Sequence, residues 1–215
     1  MSSGSKKQKH FLITAGGTRE YIDPVRFISN ASSGKMGYAL AQAAIEAGHK
    51  VTLISASDLQ PPIGTEFVGV DSAEEMFTAV KKYFCKCDCL IMAAAVSDYT
   101  PVKTSKVKIK KSKSKLKITL KPTADILAWA GKHKKKNQIV AGFALEDKNL
   151  RQNAEKKLEE KNLDMIIANA PETIGANEAA VEIKQRLQKW VKIQEKDKNL
   201  IAAEIINLTE SLLLK

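Results

Sequence analysis

Apolar runs and amphipathic stretches alternate along nearly the whole chain. Residues 11–17 (FLITAGG) form a short apolar run closed by a glycine pair, which predicts a buried strand. Residues 34–48 (GKMGYALAQAAIEAG) predict a helix: Ala and Leu fill it, Ser32 or Ser33 can cap its start, and Gly48 stops it. Residues 50–57 make the next strand and 66–70 a weaker one. Residues 71–84 open on an Asp-Ser cap signal, carry Glu74 and Glu75 in the first turn, and continue as an amphipathic helix. Residues 89–96 (CLIMAAAV) read as a core strand.

The alternation breaks at residues 100–121, which have no helical period. Residues 115–121 alternate as a strand does, and 107–111 do so more weakly. This pairing predicts a ribbon, or flap, that projects from the sheet with its lysines in solvent. Helices at 124–132 and 150–161 then interleave with strands at 138–145 and 164–170. The chain closes with strand-like 180–183 and 190–194 and a helix at 200–214. Strands interleaved with helices imply an α/β, Rossmann-like fold, a mostly parallel sheet with helices on both faces. A single domain at 11–215 is expected after a flexible polar tail at 1–10. Ligands of such sheets bind beyond the carboxyl ends of the strands. The loop after Gly17 and the turns at 93–99, 120–125 and 142–147 should therefore converge on one site.

Charge is unevenly placed. The 215 residues carry 35 Lys+Arg and 24 Asp+Glu, a formal charge of +11. Between Lys103 and Lys136 stand 13 lysines and one acid, Asp125, so the other 22 basic and 23 acidic residues nearly cancel. The basic stretch is open to three readings: a nucleic-acid patch, a clamp around a small polyanion, or a solvated loop. Trp129 is its only large aromatic residue, which disfavours base stacking and with it nucleic acid as a partner. No apolar run approaches the roughly 18 residues of a membrane span, and the polar start MSSGSKKQKH is no signal peptide. Cys85, Cys87 and Cys89 alternate too closely to bridge one another. His10, His49 and His133 lie far from them in sequence, so a reduced, cytoplasmic chain with its cysteines at a helix-to-strand junction is expected.

The chemistry concentrates in the first long connection. Sixteen residues, 18–33, separate Gly16-Gly17 from the helix, so this is not a GxGxxG turn. Lys35 is followed by Met, so it is not a Walker A loop either. An NAD-linked reductase would also want an acid at the end of the second strand, where only Asp58 stands just beyond it. Ser32, Ser33 and Gly34 do lead into a helix N-terminus, which favours anions. Arg26 and Asn30 are spaced i, i+4 and would face one ligand if the segment is a helical turn. Arg grips phosphate or carboxylate with two parallel bonds; Asn offers a donor and an acceptor for a developing oxyanion. The alternative is that both merely satisfy loop carbonyls. Ala93-Ala94-Ala95 would let a flat ring lie against backbone, with Asp98 at the mouth for a ribose hydroxyl or a Mg²⁺-phosphate. Lys157 and Lys161 share a helix face, and on spacing alone that face reads as solvated.

Residues 13–37 (ITAGGTREYIDPVRFISNASSGKMG) closely resemble the signature of bacterial phosphopantothenoylcysteine synthetases. The resemblance continues in order through AAAVSDY at 93–99, KIKK at 108–111, ADIL at 124–127, GFALED at 142–147 and KNLDMIIAN at 161–169. It implies a ligase that joins 4′-phosphopantothenate to L-cysteine, with CTP as co-substrate and Mg²⁺. The carboxylate would attack the α-phosphate of CTP to give an acyl-cytidylate, which the cysteine amine then opens with release of CMP. By resemblance, Asn30 holds the acyl-cytidylate, Arg26 supports the same pocket, and Lys108 is the flap lysine that closes over the triphosphate. Met92, Ala93, Ala94, Asp98, Ala124, Asp125, Ile126, Leu127, Phe143, Lys157 and Lys161 match nucleotide-contacting positions, and a homodimer is implied. Ala124 stands where Pro is usual, and Asp147 where Thr is common. The flavin-dependent decarboxylase domain that usually precedes the synthetase is not in this sequence, which leaves two readings open: a separate decarboxylase partner, or a sequence that is one half of a bifunctional protein.

Overall fold

Phe11, Ile13 and Ala15 pack on one side of the first strand and Leu12 on the other, and all four have no exposed surface. A strand buried on both faces belongs in the middle of a covered parallel sheet. The computed structural model describes residues 7–169 and 178–214. β1 (His10–Ala15) leads into a small hairpin, β2 (Arg19–Tyr21) and β3 (Phe27–Ser29), and then α1 (Lys35–Glu46). β4 (Lys50–Ser55), β5 (Glu66–Gly69), α2 (Ala73–Phe84) and β6 (Cys89–Met92) follow. β7 (Tyr99–Pro101) pairs with β8 (Leu120–Pro122) beside the main sheet. α3 (Ile126–His133), β9 (Ile139–Leu145), α4 (Leu150–Glu160) and β10 (Met165–Asn169) resume the alternation. β11 (Glu178–Gln185), β12 (Val191–Asp197) and α5 (Lys198–Leu213) complete it.

The eight-stranded sheet has the order β12-β11-β10-β9-β6-β1-β4-β5. It is parallel from β10 to β5, and β11 and β12 add antiparallel strands at one edge. Ile13 sits opposite Leu53 on one side and Ile91 on the other. α1 and α5 cover one face; α2, α3 and α4 cover the other. The fold is thus α/β and Rossmann-like. The order reverses between β1 and β6, the switch point outside which such sheets open a crevice. Close contact at Gly37 sets how near α1 lies to β1: a Cβ there would meet Ala15 Cβ at 2.5 Å. Among the described residues no helix is long and apolar enough to cross a membrane.

Three local expectations are corrected. The strand expected at 89–96 ends at Met92; beyond it the β1 register returns only as an isolated parallel bridge between Gly17 and Ala95, in which Ala95 N–H donates to Gly16 O (2.8 Å) and its carbonyl accepts from Thr18 N–H (3.3 Å). The ribbon pairs only at its base, Tyr99 to Pro101 with Leu120 to Pro122. Beyond that base the alternating side chains, such as Val107 and Leu116, have no layer to bury against and stay exposed, so alternation does not make strands there. The N-cap of α1 is neither Ser32 nor Ser33 but Gly34, with φ 81°; Ser33 Oγ contributes only a long bond, accepting from Lys35 N–H at 3.5 Å. Ala170, expected at the end of a strand, lies outside the described residues, as does most of the 1–10 tail. Gln8 and Lys9 of that tail are already tied to the body, Gln8 Nε2 donating to Gly48 O and Lys50 N–H to Lys9 O. Cys85 is exposed at the end of α2, while Cys87 and Cys89 are buried. Burial pushes the Cys87 thiol up to about 12 against the opposing hydrogen bond from Gln138.

Candidate active-site cleft

A cleft of about 720 Å³ opens beyond the carboxyl ends of β1, β6, β9 and β10. The four expected segments meet there: residues 30–37, 92–99, 122–127 and 143–146 all contribute. Most of the candidate residues therefore lie together. Asn30, Ser32, Ser33 and Gly34 form one wall; Met92, Ala93, Ala94 and Asp98 another. Ala124, Asp125, Ile126, Leu127, Phe143, Lys157 and Lys161 close the far side. Gly16 and Gly17 lie behind the wall, where they let chains cross. A Cβ on Gly16 would meet Ser57 N at 2.6 Å, and one on Gly17 would meet Asn30 O at 2.7 Å.

Arg26 and Lys108 are not among the lining residues. Residues 27–29 are extended, paired with 19–21, so the i, i+4 spacing does not turn Arg26 and Asn30 to one side. Asn30 ends the hairpin at the cleft, and its Nδ2 donates to Ala95 O (3.2 Å) and Val96 O (3.3 Å). Two carbonyls at that end require the NH₂ group there, which leaves Oδ1 as the amide atom without a partner among the described residues. Arg26 instead turns back to Asp23 and to the carbonyl of Ile109. Lys108 is exposed on the flap.

Charge inside the cleft comes in two groups. On α4, Lys157 Nζ donates to Phe143 O (2.8 Å), and burial, then the neighbouring Lys161, holds its pKa below the ordinary lysine range. Lys161 pairs with Asp125 at 2.7 Å. Burial raises the Asp125 carboxyl, but Lys161 and the N–H of Ala128 outweigh it, so its pKa is lowered. Asp125 also caps α3 through that N–H, so one carboxylate both starts a helix and holds a cleft lysine. The second group is Lys35, in the first turn of α1, and Lys198, in the first turn of α5. Lys198 is buried at 9% exposure, and burial, then the charge of Lys35, lowers its pKa. Two lysines in the first turns of two helices, lining one cleft, make a placement that suits an anion there. Sequence reasoning missed Lys198: it precedes the predicted final helix, and only the three-dimensional return of α5 beside α1 brings it to the site.

An α/β fold with a glycine-shaped first loop, a helix N-terminus and four lysines around one switch-point cleft has the features that suit a phosphate-bearing small molecule. The chain belongs to the family of DNA/pantothenate metabolism flavoprotein C-terminal domains, whose model matches residues 6–212. It is 45% identical over 204 residues to a protein from an unknown prokaryotic organism named cysteine/cysteine sulfinic acid decarboxylase, covering 92% of this chain and 57% of that protein. It is 48% identical over 177 residues to the coenzyme A biosynthesis bifunctional protein CoaBC of Bacillus subtilis (strain 168), covering 81% of this chain and 43% of that protein. The chain thus spans about half the length of these curated relatives. The crystal structure of the C-terminal domain of a coenzyme A biosynthesis bifunctional protein CoaBC superposes with a TM-score of 0.84 at 39% identity, covering 98% of both chains.

Proposed function

We propose that this chain is a phosphopantothenate–cysteine ligase of coenzyme A biosynthesis that consumes CTP with Mg²⁺ and passes through an acyl-cytidylate. The observation that carries the reading is the pairing of two cationic ends in one cleft, within a chain that matches a CoaBC C-terminal domain over 98% of its length. The reaction needs two anionic molecules side by side, a nucleoside triphosphate and a phosphorylated carboxylic acid. Lys157 and Lys161 on α4 suit the triphosphate, beside the flat, small wall of Ala93 and Ala94. The N-terminus of α1 with Lys35 and Lys198 suits the phosphomonoester of the acid. Asp98, whose carboxylate has no hydrogen-bond partner among the described residues, is the group that would hold Mg²⁺ through the triphosphate. The ion would supply charge neutralisation.

Joining a carboxylate to the α-phosphate forms one C–O–P linkage and releases pyrophosphate. The lysines lower the repulsion between the two anions as they approach. In the second step the cysteine amine displaces CMP. With Nδ2 of Asn30 committed to Ala95 and Val96, its Oδ1 is the atom that would accept a hydrogen bond from the incoming amine and aim it at the acyl carbon. The flap, carrying Lys108, would add charge to the triphosphate and exclude water that otherwise hydrolyses the anhydride. The test is pyrophosphate release from the purified chain with a panel of nucleotides. Release that requires both phosphopantothenate and CTP, slowed severely by Asn30→Asp and by Lys108→Gln, is expected. No release with any nucleotide overturns the reading.

A further inference from the structure

The flap's basic residues are mostly solvated, but one point along it is held. Asp23, at the tip of the β2–β3 hairpin, is fully buried. Its Oδ1 accepts from the N–H groups of Val25 and Arg26, both at 2.9 Å, which closes the hairpin turn. Its Oδ2 is spent differently: it accepts from Arg26 Nε at 3.0 Å, from Arg26 Nη2, and from the N–H of Ile109 at 3.1 Å. Arg26 Nη2 also donates to the Ile109 carbonyl at 2.6 Å. One ion pair therefore grips both backbone polar groups of the residue next to Lys108.

Two further bonds run alongside. Thr104 Oγ1 donates to Tyr21 O (3.0 Å), and Ser105 N–H donates to Ile22 O (3.0 Å). Past Ile109 the picture changes. Among the described residues, hydrogen bonds of residues 110–118 stay within that segment, as between Ser112 and Ser114. The hairpin is itself fastened to the body. Arg19 N–H donates to Asp71 O at 2.7 Å, the Arg19 guanidinium pairs with Asp58 at 2.5 Å, and Glu20 accepts from Ala73 N–H at 2.9 Å. The far end of β3 carries Asn30 into the cleft, roughly 13 Å of extended chain from Arg26. The hairpin is thus a fixed strut with Asn30 at one end and the Ile109 grip at the other.

We infer that Asp23 and Arg26 form a latch that holds the flap backbone at Ile109 and so positions Lys108 relative to Asn30, with both acting as positioning residues. A turn cap alone would need only Oδ1; the commitment of Oδ2 and Nη2 to Ile109 is what reaches across to the flap. The carboxylate is held in its charged form, since the Arg26 guanidinium outweighs burial and keeps the Asp23 pKa well below the usual carboxylate range. The positioning role rests on the reading of Lys108 given above; the latch itself does not.

Two measurements on the full chain separate them. Asp23→Asn keeps the side-chain volume and a turn acceptor but removes the charge. Arg26→Lys keeps a charge but cannot grip Asp23 and Ile109 O together, and it carries the test if Asp23→Asn fails to fold. Limited trypsinolysis should cut after Lys106 and Lys108, the lysines on the held side of the flap, about tenfold to a hundredfold faster in either variant, the scale expected for losing hydrogen bonds to a charged group. Cleavage at the wild-type rate overturns the latch. In pyrophosphate release, each variant should lower kcat in the wild-type background and add nothing in a Lys108→Gln background, where there is no lysine left to position. Multiplicative effects, or unchanged turnover despite a released flap, overturn the positioning role. A wild-type chain that releases no pyrophosphate sinks the ligase reading, and trypsinolysis still decides the latch.

Discussion

Gly131 is near the end of α3, and its environment makes a sign prediction. A Cβ added there would lie 1.8 Å from the carbonyl oxygen of Lys161 and 3.0 Å from that residue's carbonyl carbon. Both are backbone atoms of the turn that ends α4, so no side chain can swing aside. Restoring ordinary contact at about 3.4 Å moves α3 and that turn apart by about 1.6 Å. The same junction carries the bond from Asn162 Nδ2 to Gly131 O (2.8 Å), and Asn162 in turn accepts from Arg186 (3.1 Å). Intrinsic propensity pulls the other way, since Ala is better than Gly inside a helix by about 1 kcal/mol. Overpacking costs about 1–3 kcal/mol, and the loss of one hydrogen bond costs about 1 kcal/mol more. The clash wins, and Gly131→Ala should lose about 1–3 kcal/mol net, or roughly 2–12 °C in Tm for a chain of this size.

The displacement also reaches the cleft. Lys161 is the residue that would be pushed, and its ammonium holds Asp125 at the start of the same helix. For the proposed ligase, the KM for CTP should rise several-fold while that for phosphopantothenate holds. Circular-dichroism melts and steady-state pyrophosphate assays check the two halves. A Tm raised by about 2–4 °C, as propensity alone would give, refutes the packing described at this junction.

Two other outcomes follow from the cleft lysines. Lys157 has a folded-state pKa below its ordinary value of 10.5, through burial first and then Lys161. Between the depressed value and 10.5 the unfolded chain binds more protons than the folded one, so stability from this group rises with pH across that window and is lost below it. Urea unfolding from pH 7 to 10 should show the wild type gaining on Lys157→Gln as pH rises, and parallel profiles would remove the assigned cause. Lys198→Gln should raise the KM for phosphopantothenate about tenfold or more, the value of one charge-assisted contact, and leave the KM for CTP unchanged; the reverse pattern would exchange the two anion ends.

The parts of the molecule that could be read along the chain are those whose information is local. β1 and α1 announce themselves by period and by glycine punctuation, and the parallel order tells which loops meet. The hairpin at 19–29 was illegible: its strands are three residues each, too short to show a period, and they are held by Arg19, Glu20 and Asp23 reaching distant partners. The alanine run after β6 looked like strand because small apolar residues suit a core as well as a ring-binding wall. Lys198 and Ile109 carry no signal of their own, since their roles come from side chains and backbone brought from elsewhere in the fold.

The distribution of charge shows most about how the site would work. None of the 13 lysines between Lys103 and Lys136 lines the cleft; Lys35, Lys157, Lys161 and Lys198 do, and all four come from the near-neutral remainder of the chain. They share it with Asp98, Asp125 and Glu146, so the open cleft is close to balanced. Part of the basic stretch is structural: Lys134 pairs with Asp164 at 2.6 Å, and Lys135 donates to Cys85 O at 2.8 Å. The flap lysines are then the reserve of positive charge, held outside the cleft on a segment fixed at Ile109. In the proposed ligase a balanced cleft would bind a triphosphate only modestly, and a flap closing over it would supply the missing charge, since each charge counts for more when water is excluded. Such an arrangement favours the state in which both substrates are enclosed over the open complex with either one. In the proposed reaction that is the state in which the acyl anhydride would need protection from hydrolysis.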